Sequence, residues 1–271
     1  MDVLASFKTG KQEMTRWVVR RRNVLLLVSI AAALAVWEGL IRWGNFPAFI
    51  LPGPGLVWQS FIQALADGSL LRNTWATLEE VLSGLLLGSA LATGLGYLLT
   101  KSRIVEALLA PYLVASQAIP IVAIAPLLII WFGPGMGSKV LICALIVFFP
   151  VLVNTAVGLR AVPENLRDLM RSLGASRRQI LSYLEIPAAL PVFLGGLRIG
   201  ATLSVIGAVV GEFVGADRGL GFLISVARGR YDTALVFVAV FTLVAMALAL
   251  YGAVVLIESR LLAWQPWRQK E

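Results

Sequence analysis

The stretch VLICALIVFFPVLVNTAVGL, residues Val140–Leu159, runs for twenty residues without a charged side chain. About 20 consecutive apolar residues are what a helix needs to cross the hydrocarbon core of a bilayer. The chain of 271 residues is 59% hydrophobic and 14% charged, whereas soluble domains average about 25% charged residues. The stretch and the composition together indicate a membrane protein.

Five more apolar stretches of similar length predict a protein with six transmembrane helices. The predicted spans are residues 24–43, 78–99, 107–132, 140–159, 186–214 and 234–257. The third is interrupted by Pro111, Pro120 and Pro126. The second carries glycines that suit close helix contacts in lipid, namely Gly84, Gly88, Gly94 and Gly96. The fold class is therefore all-α, with one transmembrane domain over residues 24–257.

The distribution of lysine and arginine between the loops sets the orientation. The loops on one side, together with both termini, carry 16 of these residues, and the loops on the other side carry five. Cytoplasmic loops are the basic ones. We therefore predict a cytoplasmic N-terminal segment, 1–23, a cytoplasmic loop over 160–186 and a cytoplasmic C-terminal tail, 258–271.

Composition also excludes several kinds of function. The net charge of +8 does not indicate a nucleic-acid partner, because the charges lie at the ends of apolar spans rather than on one face. The chain has no histidine and a single cysteine, Cys143, inside an apolar run. Histidine is the commonest general base and a common zinc ligand, so no metal site is expected.

The outer loop 46–77 contains the turn cluster LPGPG followed by a short amphipathic stretch. Its apolar residues are Leu56, Val57, Phe61, Ile62 and Leu65. The stretch predicts a helix that lies on the outer membrane surface or packs against the bundle, and the sequence leaves both placements open.

The basic segment LRDLMRSLGASRRQILSYLEIPAALP, residues Leu166–Pro191, has the pattern of a helix–turn–helix outside the bilayer. Apolar residues recur at helical spacing on the first helix: Leu166, Leu169, Met170 and Leu173. Gly174 is placed to end that helix, and Ser176 with Gln179 reads as a capping box for the second. The apolar stripe is expected to pack on the ends of the protein's own spans.

Two interpretations of this segment compete. A loop that only fixes topology needs positive charge but no apolar stripe, glycine stop or helix cap. A docking surface for a cytoplasmic partner needs all of these features, and the pattern favours it.

The segment resembles the EAA loop of permease subunits in ATP-binding-cassette importers. That loop has Glu-Ala-Ala, a glycine after three residues and Ile-x-Leu-Pro after nine more. At the same spacing this chain has Asp168, Leu169 and Met170, then Gly174, then Leu184–Pro187. Aspartate replaces glutamate, and leucine and methionine replace the two alanines, which affects how tightly the loop packs.

The resemblance covers nearly the whole chain. PIVAIAPLLIIWFGPG, FFPVLVNTAVGLRAVP, GEFVGADRGLGFLI and ESRLLAW are similar to the nitrate, sulfonate and taurine class of these permeases. Within that class, SQAIPIVAIAPLL and GEFVGADRGLG look most like the branch associated with riboflavin and with the pyrimidine precursor of thiamine. The resemblance implies import of such a compound, with sulfonate, taurine or nitrate as the alternative.

The resemblance also implies the architecture of a type I importer in the inner membrane of a prokaryote. The expected partners are two cytoplasmic ATPase subunits, an extracytoplasmic binding protein and a second permease, taken as a second copy of this chain. No cofactor or enzymatic activity is expected, since the ATPase subunit would bind ATP. The residues expected at the ATPase contact are Arg167, Asp168, Arg171, Leu173, Gly174, Ala175, Ser176, Arg177 and Pro187.

Four polar residues inside the spans are candidates for a translocation path or gate, because polar groups at membrane depth usually face a cavity. Gln117 and Asn154 are expected to line a path or to form helix–helix hydrogen bonds. Arg198 and Glu212 lie about 21 Å apart along one helix and cannot pair. The partners expected for Arg198 are Glu38, Glu79 or Glu80. Glu212 begins GEFVGADRGLG, whose glycines indicate a re-entrant turn and a gate at the outer mouth.

A nucleotide site and two other classes of protein fit less well. GPGMGSK, residues Gly133–Lys139, has Ser138 where a phosphate-binding loop needs its second glycine, and it is expected in a tight outer turn. A secondary transporter would show inverted repeats and acidic residues at the midplane. An intramembrane hydrolase without histidine would need a Ser–Lys pair or two aspartates, and no aspartate lies within a predicted span.

Overall fold

The computed structural model describes Leu25 and residues 28–264. The predicted N-terminal segment, 1–23, and the last part of the predicted tail, residues 265–271, lie outside this range. Within it, every regular element is a helix, as the sequence predicts for an all-α protein.

The helices follow one another with short connections. They are α1 (residues 28–44), α2 (Pro54–Ala66), α3 (Ser69–Lys101), α4 (Arg103–Gln117), α5 (Ile121–Phe132), α6 (Met136–Arg160), α7 (Glu164–Ser172), α8 (Arg177–Ile180), α9 (Ile186–Gly215), α10 (Leu220–Gly229) and α11 (Thr233–Leu261). A π-helical turn, Leu181–Glu185, joins α8 to α9 without a break. Helix α11 continues to Leu261, within the predicted tail, 258–271.

Four long helices of the described residues are apolar enough to cross a membrane: α3, α6, α11 and the continuous α8–α9 segment. They correspond to the second, fourth, sixth and fifth predicted spans. The third predicted span is instead two helices, α4 and α5, bent by 98° at a short break before Pro120. Proline lacks an N–H and restricts the residue before it, which explains the break. The first span is only partly described, as α1.

Helix α6 lies between α3 and α9, and small residues line both contacts. A Cβ added at Gly88 of α3 would lie 2.6 Å from the carbonyl oxygen of Ala144 in α6. On the other side of α6, a Cβ added at Gly196 of α9 would lie 2.6 Å from the Cβ of Asn154. Close packing at Gly84, Gly88 and Gly96 is confirmed. The prediction is wrong for Gly94, where an added Cβ would meet nothing within 4 Å.

The amphipathic helix α2 packs on the bundle, which is one of its two predicted placements. It contacts α3 and α11, and Val57 and Ala64 are buried. Helix α1 reaches the same region through Trp37, which stacks on Phe237 of α11 with ring centroids 5.4 Å apart. Burial of these apolar side chains holds the outer loop against α11.

Candidate functional site

The basic segment forms the predicted helix–turn–helix. Helix α7 ends in a Schellman motif, in which the N–H of Gly174 donates to Arg171 O (2.9 Å) and that of Ala175 to Met170 O (3.0 Å). Gly174 has φ +76°, the left-handed conformation that favours glycine. Ser176 and Gln179 form the predicted capping box. The local sequence thus fixes a sharp turn between α7 and α8.

Three of the four residues of the apolar stripe of α7 do not pack on the ends of the protein's own spans, contrary to the prediction, and Met170 is half-buried. Leu166, Leu169 and Leu173 are 41%, 54% and 74% exposed. The largely buried Arg167 points inward beside the half-buried Met170, whereas Asp168 and Arg171 on the far side of α7 are exposed. A helix that exposes an ordered apolar stripe outside the bilayer has the surface of a protein contact.

A buried carboxylate anchors this segment to the bundle. Glu185, in the π-helical turn, is 1% exposed and accepts two bonds from Lys101 Nζ, at 2.6 and 2.7 Å. It also accepts a bond from Arg167 Nε at 3.1 Å. Arg167 donates in addition to the carbonyl of Leu159 at 2.7 Å. The segment is therefore connected to the last turns of α3 and α6.

Sequence reasoning assigned a contact role to Arg167 but missed both Glu185 and Lys101. The signal was present, because a carboxylate at the start of an apolar span requires a cation and Lys101 ends the second span on the same side. The other predicted contact residues lie around the turn. Asp168 and Arg171 form an exposed pair (2.8 Å), Arg177 is exposed, Ala175 is half-buried, and Pro187 lies in the first turn of α9.

A second polar network lies at the opposite end of the bundle, around Glu212 of α9. Its carboxylate accepts bonds from the hydroxyl of Thr77 in α3, at 2.7 Å, and from the N–H of Gly221. The N–H of Leu220 donates to the same Thr77 hydroxyl at 2.8 Å. The N–H of Gly219 donates to Asn73 Oδ1, also at 2.8 Å. Glu212 and Thr77 thus hold the start of α10.

The glycines in GEFVGADRGLG make room for this carboxylate. A Cβ on Gly221 would lie 2.8 Å from Glu212 Oε2, and a Cβ on Gly219 would overlap the carboxyl group. Gly219 also has φ +119°, which side chains rarely adopt. The predicted turn is present in this form, with Glu212 buried beneath it.

A buried ion pair between Lys139 and Glu80 lies beside this network, and both side chains are 3% exposed. Lys139 was expected in a tight outer turn, and that prediction is wrong, because it lies in the first turns of α6 and points toward α3. The Ser138 hydroxyl donates to the carbonyl of Gly133 at 2.7 Å, a local turn contact.

Arg198 pairs with Glu258 of α11, with 3.1 Å between Nε and Oε2. The three predicted partners are wrong, because each meets a different group: Glu38 pairs with Arg42, Glu79 accepts from Trp75, and Glu80 pairs with Lys139. Glu258 lies near the end of α11 and reaches the first half of α9, a contact between elements far apart in sequence.

Gln117 and Asn154 have different surroundings. Asn154 donates to Pro150 O within its own helix at 2.8 Å, and its side chain borders Gly196 of α9. Gln117 is exposed as the last residue of α4, next to the non-helical residues 118–120. Non-helical backbone at membrane depth occurs where it is covered by protein or lines a water-filled cavity. The bend at residues 118–120 between α4 and α5, the elbow, is therefore expected at a passage or at a protein contact.

Comparison with known proteins places this geometry in context. Residues 84–263 match the family described as binding-protein-dependent transport system inner membrane component. The chain is 49% identical over 240 residues to a riboflavin transport system permease protein of Chloroflexus aurantiacus, covering 89% of this chain and 90% of the relative. It is 37% identical to a formylaminopyrimidine transport permease protein of Halalkalibacterium halodurans, covering 88% and 93%.

Among solved structures, the fold is similar to a chain of the MetNI methionine ABC transporter in an inward-facing conformation. The TM-score is 0.64 at 20% identity, covering 72% of this chain and 97% of that one. This likeness shows that the helices are arranged as in an importer permease.

Proposed function

Because the chain belongs to the binding-protein-dependent transport permeases, we propose that it carries riboflavin or a related heterocyclic vitamin precursor across the inner membrane of a prokaryote. Identity of 49% with a riboflavin permease over most of both chains supports the flavin. The relative that transports a formylaminopyrimidine supports the wider class of heterocyclic precursors. Transport by this permease class depends on a separate ATPase and on a binding protein.

The observation that carries the mechanism is the exposed apolar stripe of α7, a helix that Arg167 ties to Glu185 and Leu159. In this proposal the stripe enters a groove of a cytoplasmic ATPase subunit, and Arg171 and Arg177 meet acidic groups at the rim. Both termini then lie in the cytoplasm, in agreement with the 16 and five basic residues on the two sides.

Transport in this proposal follows from closure of two ATPase subunits on ATP. Closure moves α7 and its turn at Gly174, and the Glu185 contacts carry that movement into α3 and α9. The outer ends of the same helices hold the loop beneath which Glu212 is buried, which makes this loop the gate that receives solute from the binding protein. The elbow at Gln117 lines the passage and faces a second copy of the chain.

The variant Leu173→Glu tests the coupling proposal. Leu173 is 74% exposed, so the substitution leaves the fold intact while placing a charge in the apolar contact. Ser172→Glu adds the same charge on the polar side of α7 and is the control. After purification in mild detergent, we expect Leu173→Glu to lose the bound ATPase subunit and to lower uptake at least about tenfold. Equal retention of the ATPase by both variants would overturn the docking proposal.

The substrate is tested in the reconstituted complex with its binding protein. We expect riboflavin or a hydroxymethylpyrimidine to stimulate ATP hydrolysis and to accumulate in proteoliposomes. Stimulation only by taurine, an alkyl sulfonate or nitrate would replace the flavin with the alternative substrate class. Accumulation by the permease alone, without any ATPase subunit, would instead establish a secondary transporter.

A further inference from the structure

Two cavities lie side by side at the cytoplasmic end of the bundle and share a wall at Leu159. The first is an apolar groove of about 390 Å³ between α3, α6 and α9, and Tyr97, Leu190 and Phe193 are among its walls. The second is a polar cavity of about 450 Å³ at the ends of α3 and α6 and the start of α4. The α3 residues that line them include Gly94 and Tyr97 in the groove and, one turn later, Thr100 and Lys101 in the cavity.

The polar cavity carries excess positive charge. Five cationic and three anionic side chains line it. Lys101 and Arg167 are bound to the buried Glu185, and Arg160 pairs with Glu106 at an exposed position. Arg103 has no ion pair within residues 28–264. Arg103 and Arg160 stand at helix ends where the apolar spans stop, so both can meet an anion at the membrane surface.

The apolar groove is open beside Gly94. A Cβ added at this glycine would meet nothing within 4 Å, although Gly94 lies two turns before the end of α3 and lines the groove. At Gly88 and Gly96, by contrast, an added Cβ would collide with α6. The groove therefore lies on the side of α3 that the rest of the described chain leaves uncovered, at the depth of lipid chains.

We propose that the groove and the cavity together bind one anionic phospholipid. Its phosphate lies at Arg103 and Arg160, and one acyl chain follows the groove past Gly94 and Tyr97. A basic loop that only fixed topology would need the charge but not an apolar groove continuous with it. Only the assignment of the lipid to the cytoplasmic leaflet rests on the membrane orientation given under the proposed function. Because the phosphate lies beside the Glu185 contacts, the lipid supports the segment that carries α7.

The test is native mass spectrometry of the full-length protein from nanodiscs of phosphatidylglycerol or of phosphatidylcholine. We expect retained phosphatidylglycerol in preference to phosphatidylcholine. Each basic residue near an anionic surface contributes about fivefold in affinity, so Arg103→Gln with Arg160→Gln should lower that preference about 25-fold. Gly94→Leu fills the groove and should abolish retention of both lipids. Gly252→Leu is the control, because Gly252 lies in α11 and an added Cβ also meets nothing within 4 Å.

Three outcomes would overturn the proposal. The first is equal retention of the two lipids by the unaltered protein. The second is unchanged retention in Gly94→Leu. The third is that Gly94→Leu separates a dimer, measured by light scattering, while lipid retention stays the same, which would show that a second copy fills the groove. None of these measurements depends on an ATPase or a solute. A negative result would therefore overturn the lipid proposal without bearing on the transport proposal.

Discussion

Replacing Thr77 by valine removes the centre of the outer network without changing its shape. The Thr77 side chain is fully buried, and its hydroxyl donates to Glu212 at 2.7 Å and accepts from the N–H of Leu220 at 2.8 Å. Valine leaves both partners without this hydrogen bond. A buried group left unsatisfied costs about 1–2 kcal/mol, so the two losses weaken the loop by about 2–4 kcal/mol.

Hydrogen exchange at the amides of 219–223 measures this effect. Every 1.4 kcal/mol is a factor of ten, so the protection of these amides should fall about 30-fold to 1,000-fold in Thr77→Val. Thr77→Ser keeps the hydroxyl and should exchange like the unaltered protein. Solute uptake should fall in Thr77→Val, whereas binding of the ATPase subunit should not change. Equal exchange in Thr77→Val and Thr77→Ser would refute the assignment of Thr77 as the residue that holds the loop.

Two further predictions concern stability, each measured by thermal unfolding in detergent. Lys101→Met should destabilise the protein by about 1–3 kcal/mol, whereas Lys101→Arg should not; the value is modest because Lys101 is 41% exposed and Glu185 keeps Arg167. Equal melting of both variants would contradict the anchoring role of Glu185. Gly88→Leu should cost at least about 3 kcal/mol by separating α3 from α6 at Ala144, and Gly94→Leu, on the open side of α3, should melt normally.

Features encoded by neighbouring residues could be predicted from the sequence. The turn at Gly174 and the capping box of Ser176 and Gln179 involve hydrogen bonds between residues at most five positions apart. Their geometry depends on local backbone and side chains alone, so a single sequence contains the necessary information. The long apolar spans are predictable for the same reason, since each must satisfy its own backbone in lipid.

Contacts between distant helices could not be predicted in this way. Thr77 and Glu212 are 135 positions apart, and Lys101 and Glu185 are 84 apart. The sequence shows that such buried polar groups need partners, but several residues of suitable charge are available at each depth. Arg198 illustrates the problem, because Glu258 lies on a helix whose position relative to α9 depends on the packing of the whole bundle.

The sequence also could not predict which way the apolar stripe of α7 faces. A stripe at helical spacing shows that one side of a helix is apolar, but not whether that side faces its own protein. Here Arg167 makes the inward contacts, to Glu185 and to the carbonyl of Leu159. Only the flank of α7 that carries Arg167 and Met170 faces the protein, and Leu166, Leu169 and Leu173 stay exposed.

The two polar networks are linked because they use the same helices. Thr77 and Lys101 are 24 residues apart on α3, or about 36 Å at 1.5 Å per residue, and Glu185 and Glu212 are 27 residues apart, or about 40 Å. The two helices are therefore joined at both ends, by Lys101–Glu185 and by Thr77–Glu212. A movement of α7 that preserves these bonds must carry both helices, together with the loop above Glu212, as one body. Helix α4, which has no buried residue, shares none of these anchors.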